Sequence, residues 1–128
     1  MESVRDLLEG DQFAEYCGLN LVSVGEGRAV VRMDIKPFHL NGNGVVHGGA
    51  IFTLADYAFA AASNSAAMAS VSINASISYI KAGKGQGALT AEARPLTTNT
   101  KLGTYLVEIK NDEGVVIAAF QGLSYKVR

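Results

Sequence analysis

The sequence predicts an α+β domain in which one antiparallel sheet folds around one long buried helix. Three observations predict it. Residues 49–65 run without a proline and are apolar on nearly every side of a helix, so that helix needs other structure wrapped around it. Residues 69–79 alternate, with Ala69, Val71, Ile73, Ala75, Ile77 and Tyr79 on one face and Ser70, Ser72, Asn74, Ser76 and Ser78 on the other. Further strand-like segments lie on both sides of these two, bounded by glycine-containing turns.

In chain order, Ser3 can cap a short helix carrying Val4, Leu7 and Leu8 that ends near Gly10. Asp11 can cap a second turn or two carrying Phe13, Ala14 and Tyr16, stopped by Gly18. Leu19 to Val24, Gly25-Glu26-Gly27 and Arg28 to Ile35 then form a β-hairpin. In its second arm Ala29, Val31, Met33 and Ile35 alternate with Arg28, Val30, Arg32 and Asp34. Pro37 to Gly49 is a loop with glycines at 42, 44, 48 and 49. The long helix follows, then the alternating strand, then strands near Ala88 to Leu96, Thr104 to Asn111 and Val115 to Val127. Asp112-Glu113-Gly114 turns between the last two. No repeat or linker interrupts this order, which describes one domain over 1–128.

Composition narrows the function. With 128 residues, 48% of them apolar and 18% charged, the chain can bury a core without staples. A formal net charge of −1 provides no basic field for nucleic acid or an anionic membrane. The single cysteine, Cys17, reads as a small buried hydrophobe near a helix end and points to a reducing compartment. Residues 1–6 carry acid and no apolar stretch, so no secretory signal is expected and the cytoplasm is the expected location. The most apolar stretch, Gly48 to Ala62, is too short to span a bilayer and holds an aspartate.

That aspartate, Asp56, is the most informative residue. Phe52, Leu54, Ala55, Ala58, Phe59 and Ala60 surround it, and an unpaired carboxylate among such neighbours costs several kcal/mol before compensation, about what alanine or leucine would avoid. It is either a functional acid or a hydrogen-bonded core aspartate. Directly before the helix stands His47-Gly48-Gly49. The first N–H groups of a helix have no internal partners and lie at its positive end, and glycines let a ligand approach the backbone. Such a spot suits a phosphate, a carboxylate or the oxyanion of a reacting carbonyl, although a plain loop-to-helix turn uses the same residues.

Spacing then bears on assembly. Gly48 and Asp56 are eight residues apart, about 12 Å along an α-helix. A carbonyl held ~3 Å from an oxyanion donor and within reach of a base cannot easily find both on one helix. Two antiparallel copies would bring Gly48 of one subunit near Asp56 of the other, so a site made from these residues implies at least a dimer. Other chemistries lack their residues. No metal-ligand spacing, Gly-x-Ser-x-Gly elbow or phosphate-loop lysine occurs, and residues 42–47 fail the dinucleotide fingerprint. His39 reads as a loop histidine without a nameable partner.

The run from Asn41 to Asp56, Asn-Gly-Asn-Gly-Val-Val-His-Gly-Gly-Ala-Ile-Phe-Thr-Leu-Ala-Asp, resembles the signature of the hotdog-fold thioesterases of the phenylacetate-degradation (PaaI-like) branch. The likeness extends over nearly the whole chain. It implies a hotdog fold paired into dimers and commonly tetramers, and hydrolysis of acyl-CoA thioesters without a metal or redox cofactor, CoA being part of the substrate. By the same resemblance Asp56 is the catalytic acid, as general base or nucleophile, and Gly48 is the backbone donor to the thioester oxygen. Asn41 and His47 orient substrate or water from the opposite subunit, and Ser72 lies near the water.

For substrate binding, Gly49, Phe52 and Tyr57 are candidates beside the helix start, with Phe59 and Tyr79 as further pocket walls. Lys81, Lys84, Arg94 and Lys101 are candidates for the CoA phosphates. The acyl group expected from the resemblance is aryl-acetyl or of medium length. The main rival is a non-catalytic acyl-CoA binding or sensing protein, since fold does not fix function. A dehydratase or isomerase on the same fold would be expected to use a His and Glu pairing, and the helix contains no glutamate. A purely structural oligomer would leave Asp56 unexplained.

Overall fold

The computed structural model describes residues 4–66 and 69–127. Two short helices, α1 (Val4–Glu9) and α2 (Gln12–Tyr16), precede the hairpin strands β1 (Leu19–Gly25) and β2 (Arg28–Asp34). A single 3-10 turn (Pro37–His39) leads to the long helix α3 (Gly48–Asn64). Strands β3 (Ser70–Tyr79), β4 (Ala88–Thr98), β5 (Leu102–Lys110) and β6 (Val116–Lys126) follow. The six strands form one sheet in the order β1-β2-β4-β5-β6-β3, with every neighbouring pair antiparallel. The sheet wraps α3, and β1 and β3 are left as its two edges.

Local chemistry accounts for the elements. The Asp11 carboxylate accepts the Ala14 N–H at 3.0 Å and starts α2, as expected, while the expected Ser3 cap lies outside the described residues. The hairpin closes with Gly25 paired to Arg28, leaving a two-residue turn in which Glu26 and Gly27 both take positive φ. That is the turn whose twist matches the strands, and the glycine meets its backbone demand. Ala29, Val31 and Met33 of β2 are buried against α3, together with Ala91 and Ala93 of β4 and Tyr105, Val107 and Ile109 of β5. Phe59 sits at the centre of this core, against Tyr105 and Phe120, rather than in a pocket wall. Gly122 is what admits it, because a Cβ there would lie 2.7 Å from the Phe59 ring.

The structure corrects two further expectations. First, α3 is not wrapped all round. Ile51, Leu54, Ala55, Tyr57, Ala58, Phe59, Ala61 and Ala62 are buried, but Gly49, Thr53, Asp56, Ala60 and Asn64 are only partly covered or exposed. Their spacing of three to four residues draws one open stripe along the helix. Second, the alternation of β3 is broken. Ser72 pairs with Ser124 and Asn74 with Leu123, so Ile73 is an extra residue, a β-bulge. The bulge returns Ser70 and Ser72 to the side that faces α3, with Ala75 and Ile77, and sends Val71 outward. An unbroken period of two puts them the other way round.

Candidate active site

The loop before α3 is built from residues whose side chains replace the missing regular hydrogen bonds. His39 is buried, and both its ring nitrogens are used: Nδ1 accepts the Lys36 N–H at 2.9 Å and Nε2 donates to the Cys17 carbonyl at 2.7 Å. The ring thus ties this loop to the end of α2, and the His39 carbonyl takes the His47 N–H at 2.7 Å. His39 is the loop histidine expected, and the sequence names no partner for it because Cys17, twenty-two positions away, is brought near only by the fold.

Asn41 makes the next brace. Its side-chain oxygen accepts the N–H groups of Asn43 and Val45 at 2.9 and 3.3 Å, and its backbone N–H reaches the Val45 carbonyl at 2.8 Å. Asn111-Asp112-Glu113-Gly114-Val115 repeats the arrangement in the β5–β6 turn, with the Asn111 oxygen on Glu113 and Val115. Gly44 and Gly114 supply the positive φ in the two copies. The Asn41 oxygen is therefore occupied with its own turn, and only its amide NH2 is left to face a substrate.

At the start of α3, His47 is the N-cap. Its Nδ1 accepts the Gly49 N–H at 2.8 Å, which puts the ring proton on Nε2 and aims that N–H outward from an exposed ring. A Cβ on Gly49 would come within 3.0 Å of Nδ1, so the cap needs glycine there. The His47 carbonyl accepts from Ala50 and Ile51. The Gly48 N–H finds no acceptor among the described residues. One donor is thus left free at the positive end of the helix, and it belongs to Gly48. Thr53, on the open stripe, donates to the Gly49 carbonyl at 2.7 Å.

Asp56 lies on that stripe, half-buried rather than enclosed. Its carboxylate has no hydrogen bond or ion pair among the described residues, so it is not a satisfied core aspartate. Desolvation raises its pKa above the ordinary aspartate value, and the Asp11 carboxylate raises it further. The carboxylate that caps α2 therefore also bears on Asp56 through its charge, a tie that no local pattern in the sequence could reveal.

The substrate-binding candidates separate. Phe52 is half-buried, edge-on to Phe120. Lys81 joins Val46, Gly48, Ile51, Tyr79 and Ala82 around a recess of about 240 Å³. Tyr57 lines a different space, of about 390 Å³, with Arg5, Glu9, Asp11 and Glu15. Arg94 is exposed on the outer face of β4, away from α3, and Lys84 lines a separate recess with Asp112 and Glu113. Lys101 stands over the Tyr125 ring at 5.8 Å. Within one chain, only Lys81 of the four basic candidates lies beside Gly48. Among the described residues, no group of three or more His, Cys, Asp or Glu side chains could hold a metal ion, and no helix is long and apolar enough to cross a membrane.

Six antiparallel strands wrapped around one long helix define the hotdog class, and the free amide at the helix start and the unpaired, partly desolvated carboxylate on the same helix are its candidate site. The chain belongs to the thioesterase superfamily, whose family profile matches residues 43–118, more than half of its length. Its likeness is to the PaaI branch. It is 35% identical to the acyl-coenzyme A thioesterase PaaI of Escherichia coli over 126 residues, 98% of this chain and 90% of that protein. The structure of Escherichia coli PaaI superposes with a TM-score of 0.93 over 98% of this chain and 91% of that one. A structure of Streptococcus mutans smu.793 bound to acetyl CoA is 27% identical and superposes with a TM-score of 0.81, over 85% and 88% of the two chains.

Proposed function

We propose that this chain hydrolyses acyl-CoA thioesters to CoA and a carboxylic acid in a site completed by a second copy of itself. The observation that carries the reading is the pairing of two unsatisfied groups on α3: the Gly48 N–H at its positive end and the Asp56 carboxylate two turns on. About 12 Å of helix separates them, so each would work with its counterpart on an antiparallel partner helix. The open stripe of α3 and the free edge of β3, where Val71 and Ile73 are half-exposed, offer that partner a seat. The E. coli relative named as an acyl-CoA thioesterase, and the relative bound to acetyl CoA, support the substrate class. Relatives named for phenylacetic acid degradation support an aryl-acetyl acyl group. A cytoplasmic location fits the single free thiol.

In this reading the thioester oxygen lies on the Gly48 N–H, and Asp56 of the other subunit takes a proton from water as it attacks the carbonyl carbon. Charge develops on the oxygen, where the fixed amide and the helix dipole stabilise it. The C–S bond then breaks, CoA leaves as thiolate and takes the proton from Asp56. A base with its pKa raised by desolvation holds a proton better at neutral pH than an ordinary aspartate does. Thiol release from a panel of acyl-CoAs tests this. Asp56→Asn should lower turnover by about 10²–10⁴, and activity within a few-fold of the parent would end the proposal.

A further inference from the structure

The peptide unit between Gly48 and Gly49 is held at both ends by side chains. Its N–H is accepted by His47 Nδ1 at 2.8 Å, and its carbonyl, that of Gly48, accepts the Tyr79 hydroxyl at 3.1 Å. Tyr79 is the last residue of β3, thirty-one positions away in sequence. Its ring also lies flush against Gly48, with a ring carbon 3.3 Å from where a Cβ would stand. Two adjacent glycines are the most freely rotating start a helix can have, and an unheld first turn frays. A fixed donor direction at this place therefore needs an outside brace.

The geometry points to Tyr79 as a positioning residue for the reaction: its hydroxyl and ring fix the first turn of α3, so that the unpartnered Gly48 N–H stays aimed at the thioester oxygen. The proposal rests on the acyl-CoA hydrolase reading. It differs from a wall role, in which Tyr79 would only line the recess it shares with Ile51 and Lys81. A wall contributes to binding, whereas a brace on an oxyanion donor acts on the transition state, where charge develops. Tyr79 is 53% exposed, so removing one oxygen leaves the core untouched and the fold intact.

Tyr79→Phe keeps the ring and loses the hydrogen bond. The expected result is a fall in kcat of about ten-fold, a fraction of the loss from deleting an oxyanion donor outright, with KM within two-fold and thermal unfolding unchanged. Amide exchange by NMR gives a readout apart from activity. In the same variant the Gly49 N–H should exchange about ten times faster, because the first turn opens more often. An unchanged Gly49 exchange rate would overturn the brace whatever the activity. A raised KM at parental kcat would overturn it in favour of a wall. If the parent protein hydrolyses no acyl-CoA at all, the functional reading fails, and the exchange rate still decides whether the hydroxyl holds the turn.

Discussion

At Asp56 the cost of function can be read as a pH-dependent stability. Desolvation, and then the Asp11 charge, raise its pKa in the folded chain, so ionising Asp56 weakens the fold. The contribution is fully present below the ordinary carboxylate range and is lost as pH rises through the elevated value. Asp56→Asn removes the charge and should raise Tm at neutral pH by about 2–4 °C while activity collapses. Scanning calorimetry at pH 7 and near pH 3 checks it: the gain should vanish at the lower pH, and a gain equal at both would show that charge is not its source. Asp11→Asn separates the second cause. Asparagine caps as well as aspartate, so α2 should persist, while the acid limb of the kcat/KM profile moves to lower pH. A limb that stays in place would mean that Asp11 does not act on the catalytic group.

The elements show where sequence patterns succeed and where they stop. The hairpin turn, the Asp11 cap, the long helix and the three closing strands follow rules confined to a few neighbouring residues, and the structure places each of them within a residue or two of its expected bounds. Period-two counting failed at Ile73, because a bulge is set by pairing with β6 and not by β3 itself. The same limit hid three ties made across the fold: His39 to Cys17, Tyr79 to Gly48 and the charge of Asp11 on Asp56. Asn41, His47, Gly48 and Asp56 stand as candidates because one run of sixteen residues carries the family resemblance, whereas Arg94, placed by charge alone, lies on the far face of the sheet. His39 carries the prediction at this scale. His39→Ala leaves the Cys17 carbonyl and the Lys36 N–H without partners and opens the loop that sets the His47 cap. Urea unfolding should show a loss of about 1–3 kcal/mol, and a change below about 0.5 kcal/mol, the size of an ordinary surface substitution, would mean that the loop stands without it.

For the whole molecule, the question is how much of a site one chain contains. The recess beside Gly48 is small, about 240 Å³, against the roughly 300–1,000 Å³ usual for a ligand pocket. Asp56 lies too far along the helix to share that recess, and the stripe joining the two is open. Both features follow if two copies pair with antiparallel α3 helices and each site takes Gly48 from one and Asp56 from the other. A mixing experiment separates this from a site within one chain. Asp56→Asn and Gly48→Val should each be nearly inactive alone. In a dimer holding one copy of each, one site has both defects and the other has neither. If subunits re-pair at random, half the dimers are mixed and half of their sites are intact, so activity should return to about a quarter of the parent's, the share that two-fold pairing dictates. With both groups drawn from one chain, every mixed dimer keeps a defect in each site, and no mixture recovers.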